Sequence, residues 1–488
     1  MIARHRLVAD NNSAIAGVEM LTRRRLLRNA TALAVAAPRS SFADASTPTI
    51  LKLRRRTIEV YGKPASLLGI ERDAGVAGIA TQVGDHFRVR VENELNEPSL
   101  IHWHGMTPPW RQDGVPFVSA PPIPPGGKAD YDFPLTFGGT YWMHSHYGFQ
   151  EQSLMDAPLI ILPPGRDADR QEIVITLNDF SFTPAQQIFA SLRGRAKARS
   201  ATRIQRARPM SAMSMPAAAP DLNDVKYDAY LANQRTLADP EFVKVENGGR
   251  LRLRIINGSA MTNFHVDLGA LDGTLAAVDG HDVLPMRGRY FPIACAQRLD
   301  IFLDLPKSVE AFPLFFVVEG EKRRAGVMLA PPGASVGRVE AMAPEPSAPL
   351  DLTFESQLRA ARPLTERKAD RVLPIALTGD MAAYVWSINN VVWNGKTPSF
   401  PVKAGERVEL AMTNRTMMSH PMHLHGHIFQ VVEIDGRRLS GAMRDTMLVP
   451  PKTRVTIAFD ANNPGHWAFH CHLLYHAQAG MFSTIGYV

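Results

Sequence analysis

Apolar and polar residues alternate at strand spacing in three related runs of this chain. GDHFRVRVEN, from Gly84 to Asn93, alternates as a half-buried strand does. GRLRLRIIN, from Gly249 to Asn257, and GERVELAMTN, from Gly405 to Asn414, repeat the pattern. Each run opens on glycine, closes on asparagine and leads to a histidine. The interval is nine residues from Asn93 to His102, nine from Asn414 to His423, and eight from Asn257 to His265. A second pair of segments also repeats. Pro125 to Gly139 and Pro451 to Gly465 are both 14 residues, and each leads into a His-x-His unit, His144/His146 and His470/His472.

Self-similarity of this kind marks repeated domains. Strand-length runs bounded by Gly, Pro and Asn predict an all-β chain of three Greek-key sandwiches or barrels. Their expected extents are 47–165, 166–340 and 370–488, with 341–369 as a Pro- and Ala-rich charged linker carrying a helical turn or two. The first and third repeats hold paired histidines. The middle one holds His265 with Asp267 at the partner position, which predicts a domain that kept its packing and lost a metal role.

Length and composition fit this reading. A chain of 488 residues is too long for one ordinary domain, and 45% hydrophobic with 21% charged residues is globular composition. The net charge of +7 is local: residues 1–43 carry seven Arg and two acids, and 193–208 carry seven Lys or Arg and no acid. The remainder is mildly acidic, so a basic face for nucleic acid is not supported. Residues 1–43 read as an export signal: Arg23, Arg24 and Arg25 precede the short apolar stretch from Ala30 to Ala37, and Ser41-Phe42-Ala43 is a small-x-small cleavage pattern. The paired arginines are similar to a twin-arginine signal, with Met20 as a candidate start, and predict a soluble periplasmic protein. No stretch reaches the ~20 apolar residues of a membrane span. A monomer is expected.

Eight of the 16 histidines sit in four His-x-His units: His102/His104, His144/His146, His423/His425 and His470/His472. On a strand, residues i and i+2 face one way, about 6.5–7 Å apart, so each pair can serve one metal cluster. Neutral imidazole is a ligand for copper, zinc and iron. In His470-Cys471-His472 the thiol points to the other face and belongs to a second site. His476, Met481 and His420 are its nearest candidate partners. Two His, one Cys and a weak axial Met make a blue-copper electron-transfer site. Zinc fingers use paired cysteines at short spacing, and this chain has none.

These residues closely resemble the four copper motifs of the multicopper oxidases. The matching motifs are His102-Trp103-His104-Gly105, His144-Ser145-His146, His420-Pro421-Met422-His423-Leu424-His425, and His470-Cys471-His472 with His476 and Met481. The runs from Gln112 to Pro116 and from Gly148 to Gln152 are most similar to the bacterial copper-resistance oxidases. The resemblance implies three cupredoxin domains and four copper ions. It assigns His420, Cys471, His476 and Met481 to the type 1 copper, and His102 and His423 to type 2. It assigns His104, His144 and His472 to one type 3 copper, and His146, His425 and His470 to the other. His427 is left as a supporting or structural residue. The implied reaction passes single electrons from a reductant, through Cys471 to the trinuclear cluster, where dioxygen becomes water. Asp113 matches the family's acid near the cluster, and a turn role in Asp113-Gly114-Val115-Pro116 is its alternative. Many relatives carry another acid just after the last type 1 histidine. Ala477 and Gln478 stand there instead, which leaves the second half of the proton path open.

The reductant is less legible. Methionine thioethers suit cuprous copper. Met417 and Met418 precede His420, and Met422, Met443 and Met447 are near in sequence. Met210, Met213 and Met215 lie in the basic stretch 193–220, read as a flexible insertion in the second domain. Gap-filling core methionines and a solvated loop are the alternatives. Cu(I), phenols and Fe(II) remain candidate reductants. Cys295, the only other cysteine, is expected to be buried, inert and unbridged. A copper carrier without turnover needs no trinuclear cluster, and a copper-free structural descendant would have lost ligands. Here every ligand position is filled, which favours the oxidase.

Overall fold

The computed structural model describes residues 47–165, 169–194, 222–335, 337 and 339–488. The expected export signal and Met210, Met213 and Met215 lie outside the described residues.

The described chain is all-β, built as three two-sheet units. In the first, strands Lys63–Glu71, Thr49–Val60, His86–Asn93 and Lys128–Pro134 form one sheet, in that order. Ile79–Gln82, Asp156–Leu162, Gly139–Ser145 and Ile101–His104 form the other. Apolar residues of both sheets, among them Leu53, Val91, Trp103 and Leu159, fill the space between. The alternating runs of the sequence occupy equivalent places in all three units. His86–Asn93 lies parallel to Thr49–Val60, Arg250–Asn257 parallel to Arg170–Phe180, and Arg407–Asn414 parallel to Arg371–Asp380. Each also has an antiparallel partner: Lys128–Pro134, Arg298–Asp304 and Arg454–Asp460 respectively.

The asparagine that closes each run does the same work three times. Asn414 is buried; its Nδ2 donates to the carbonyls of Met418 (2.7 Å) and Val449 (2.9 Å), and its Oδ1 accepts from Thr416 N–H at 2.8 Å. Asn93 bonds Glu97 O, Ile123 O and Leu95 N–H in the same way, and Asn257 bonds Thr262 O, Ile293 O and Ser259 N–H. An amide offers both donors and an acceptor, so one side chain satisfies a whole buried turn. Each turn delivers the chain to the next strand: Ile101–His104, Phe264–Asp267 and His420–Leu424. These are the strands on which the histidines stand.

Helices are few among the described residues. Thr353–Gln357 lies in the segment between the second and third alternating units. Leu474–Gln478 carries His476. Residues 185–194 are helical, which the alternation analysis did not anticipate. No helix among the described residues is long and apolar enough to cross a membrane.

Asn414→Ala is expected to lower unfolding free energy by about 1–3 kcal/mol, because it strands buried main-chain groups. Asn414→Asp is expected to be at least as harmful, since a carboxylate cannot donate to the two carbonyls. Urea unfolding of the three proteins checks both.

Candidate metal centre

Strand pairing places the histidines opposite one another. His102 faces His144 across the pair Ile101–His104 and Gly139–Ser145, and His423 faces His470 across His420–Leu424 and His466–Cys471. Within each His-x-His unit both rings point the same way, with centroids 5.7, 5.9, 4.6 and 5.7 Å apart in chain order. The first and third units then interleave their rings. His102 lies 3.9 Å from His425 and His104 lies 3.8 Å from His423, centroid to centroid. Eight imidazoles thus form one cage, with His146 half-buried and the rest buried.

The outer nitrogens fix the rings. Nδ1 of His102 and His423 donate to the carbonyls of Asp113 and Asp445, both at 2.8 Å. His470 Nδ1 donates to Cys471 O at 2.8 Å, and His144 Nδ1 lies 3.2 Å from Ser145 O. His425 Nδ1 donates to Asp113 Oδ2 at 2.9 Å. A carbonyl only accepts, so the proton sits on Nδ1 and the inner Nε2 carries a lone pair. His104 is reversed: its Nε2 meets Asp445 Oδ1 (3.0 Å) and Thr446 Oγ1 (3.1 Å), and its Nδ1 faces inward. Burial, reinforced by neighbouring imidazoles, holds His104, His423, His425 and His472 well below the usual histidine range. Burial takes His470 down to about 3. These rings are therefore neutral at pH 7.

Inner nitrogens whose outer partner is an acceptor have no protons to share. His102 Nε2 lies 3.4 Å from His423 Nε2, and His470 Nε2 lies 3.0 Å from His425 Nε2 and 3.3 Å from His146 Nε2. His104 Nδ1, His144 Nε2 and His472 Nε2 are buried without any hydrogen-bond partner. Lone pairs held face to face in a buried cage repel, and buried nitrogens without a protein partner are costly. Cations between them remove both penalties. The donor set therefore fits metal ions of the kind imidazole binds.

A second centre lies across the same strand. Cys471 Sγ is 3.6 Å from His420 Nδ1 and 3.9 Å from His476 Nδ1, and the two nitrogens are 3.2 Å apart. Here Nε2 faces outward, towards Thr416 Oγ1 (2.7 Å) from His420 and Asp224 Oδ2 (2.9 Å) from His476. Met481 is fully buried beside them, and its carbonyl accepts from Cys471 N–H at 3.1 Å. Trp386 packs 4.0 Å from the His476 ring. Burial pushes the Cys471 thiol up, and a bound cation reverses that preference by taking the thiolate as ligand.

Other residues singled out in the sequence fall as follows. Asp113 is buried against the cage, with Oδ2 on His425 and Oδ1 3.2 Å from His102 Nδ1. His427 is used at both nitrogens, by His425 O at 3.0 Å and Tyr487 Oη at 2.7 Å, so it supports the cage from outside. His265 stacks on Tyr290 and bonds Ala348 O, a packing role. Cys295 is buried and unbridged, with Sγ on Ser259 O. Of the two methionines before His420, Met418 is core and Met417 is 39% exposed.

Sequence reasoning missed Asp445 and Asp224, and saw Glu151 only as part of a motif. Glu151 is buried 3.2 Å from His144 Nδ1 and 3.6 Å from His472 Nδ1. Burial, with Asp179 nearby, lifts its carboxyl well above the usual range. Its place in Gly148–Gln152, two residues after His146, was the available signal. The Asp445 carboxylate reaches His104 across 341 residues and Asp224 reaches His476 across 252, and nothing local announces either pairing.

Known proteins are similar to this chain in sequence and fold. Residues 52–166, 171–330 and 367–486 each match a multicopper oxidase family model. The chain is 32% identical over 430 residues to multicopper oxidase MmcO of Mycobacterium tuberculosis, covering 84% of this chain and 81% of that one. It is 26% identical over 546 residues to a copper resistance protein A homolog of Pseudomonas syringae pv. tomato, covering 89% and 91%. Among solved structures, a multi-copper oxidase from Pseudomonas thermotolerans superposes with TM-score 0.69 at 24% identity, covering 91% of this chain and 99% of that one. The laccase of Botrytis aclada superposes with TM-score 0.72 at 21% identity, covering 94% and 92%. The structural likenesses carry the fold, three cupredoxin-like units. With family models matched along most of its length, the chain belongs to the multicopper oxidases.

Proposed function

We propose that this protein couples one-electron oxidation of a reductant to four-electron reduction of dioxygen to water. The observation that carries the reading is the split of one strand end between two centres. Cys471 Sγ faces His420 and His476, while the adjacent His470 and His472 face the imidazole cage. Covalent bonds alone then join the two centres. A carrier has no need of the second one.

His420, Cys471, His476 and Met481 would hold a type 1 copper, and His102 and His423 a type 2 copper. His104, His144 and His472 would hold one type 3 copper, and His146, His425 and His470 the other. In favour of the first trio, its inward nitrogens are the three that lack partners. Four bound copper ions supply the one-electron redox capacity and the site at which dioxygen accepts four electrons. The chain does the rest. Carbonyls and carboxylates orient the rings, and the packed units exclude bulk water. Asp113 Oδ2, on His425, is placed to hold and move a proton beside the cage.

The reductant in this reading is Cu(I) or a phenol, and the protein is a periplasmic monomer exported by the twin-arginine route. Relatives named copper resistance protein A and laccase support both substrate classes. The exposed thioether of Met417, three residues before His420, supports Cu(I). Soft sulfur ligands select the cuprous ion.

Copper-loaded protein should show intense blue absorption and consume oxygen with Cu(I) or 2,6-dimethoxyphenol; a colourless protein rejects the type 1 assignment. Cys471→Ser should remove the blue band and abolish uptake with either reductant. Asp113→Asn should keep the blue band and lower turnover by about 10²-fold, the smaller end of general acid–base effects. Deleting residues 193–220 should depress Cu(I) oxidation more than phenol oxidation. Equal rates with and without the segment remove it from the reading.

A further inference from the structure

The middle unit contributes none of the cage histidines, yet one of its arginines reaches the cage. Arg298 opens the strand Arg298–Asp304 and is fully buried. Its Nη1 donates to Asp445 Oδ1 at 2.7 Å and its Nη2 donates to Asp445 Oδ2, a two-pronged pairing. Its Nε donates to Thr140 O at 3.1 Å, on the first-unit strand that carries His144. Asp445 belongs to the third unit and handles two cage rings at once. Its carboxylate takes the His104 Nε2–H, and its carbonyl takes the His423 Nδ1–H. Arg298 thus joins all three units at a point 3.0 Å from a cage imidazole, through Asp445.

Two features show that the site is built. His104 is the cage ring seen turned to present Nδ1 inward; its Nε2 meets the Asp445 carboxylate and Thr446 Oγ1, whose hydroxyl donates in turn to Asp445 Oδ1. The backbone after His104 also leaves room for the pair. A Cβ on Gly105 would stand 2.6 Å from Arg298 Nη2 and 2.8 Å from Asp445 Oδ2, and Gly105 has φ +88°. Glycine in His102-Trp103-His104-Gly105 therefore serves the ion pair as well as the turn.

We propose that Asp445, held by Arg298, is the positioning residue that sets the ring orientation of His104 and thereby the retention of copper in the cage. This rests on the copper reading of the cage given above. A buried carboxylate fixed by a forked guanidinium cannot swing, so the imidazole bonded to it cannot flip. A partner that fixes a ligating histidine typically changes metal affinity by about 10–100-fold when removed.

The test uses copper-loaded full-length protein challenged with a chelator. Cage copper is followed by the type 2 paramagnetic resonance signal and total copper per chain, and the other centre by its blue absorption. Asp445→Ala removes the acceptor; Asp445→Asn keeps an acceptor oxygen without the charge; Arg298→Lys keeps the charge without the fork. Asp445→Ala should lose cage copper at about 10–100-fold lower chelator concentration than the parent, with the blue band unmoved. Asp445→Asn and Arg298→Lys should fall between, and they decide the matter where Asp445→Ala does not fold. Asp300→Asn is the control, a buried carboxylate paired with Arg252 and Arg254 and bonded to Thr140 but not to the cage. It should lower thermal stability and leave copper retention unchanged. Parent-like retention in the Asp445 and Arg298 variants overturns the proposal, as does equal copper loss in Asp300→Asn. Parent protein that shows the blue band but holds no further copper overturns the cage reading along with it.

Discussion

Six of the eight imidazoles have an outer nitrogen tied to an acceptor, and those six have no choice about where their lone pairs go. That constraint governs the molecule. Each outward bond to a carbonyl or carboxylate sets a tautomer, and each tautomer aims a bare nitrogen at its neighbours. Burial keeps His104, His144, His146, His423, His425, His470 and His472 neutral, so protonation of these rings does not relieve the crowding. A fold that assembled such a cage for its own stability would be working against itself. The arrangement makes sense when cations complete it, and then the surrounding acceptors strengthen every donor.

The two centres are joined by the simplest property of a strand, its alternation. His470 and His472 face one side and Cys471 the other, so one strand end supplies both sites. The same alternation pairs His102 with His104 and sets Trp103 into the first core. Opposed strands then convert spacing into a cluster: His102 meets His144 and His423 meets His470. The repeated asparagine turns place these strands alike in the first and third units, which lets the two sets of rings interleave. In the second unit the same turn delivers His265 to Tyr290 and a carbonyl, a packed side chain in place of a ligand.

This explains what could be read from the sequence. Period-two alternation, His-x-His spacing and the lone His-Cys-His are local signals, and each maps directly onto a direction in space. The outer layer is not local. Asp445 meets His104 across 341 residues, Asp224 meets His476 across 252, and Arg298 meets Asp445 across 147. No periodicity links such positions; only the packing of three units does. The helix at 185–194 was legible in principle. Pro184 precedes it, and Ala185, Ile188 and Leu192 recur at helical spacing and are buried. The insertion expected at 193–220 overlaps only the last two residues of this helix.

The asymmetry of the cage bears on why three units are present when two supply the rings. Two repeats related by a common ancestor would present like nitrogens in like positions. His104 breaks that likeness, because a carboxylate from the third unit takes the nitrogen that would otherwise face inward. A lone buried carboxylate at that place would be poorly solvated and without a countercharge. The guanidinium that prevents this comes from the middle unit and is itself tied to the first through Thr140. Removing one partner of such a buried pair is far more damaging than never having had it. The middle unit is therefore held in the assembly by the chemistry of a centre to which it gives no ligand.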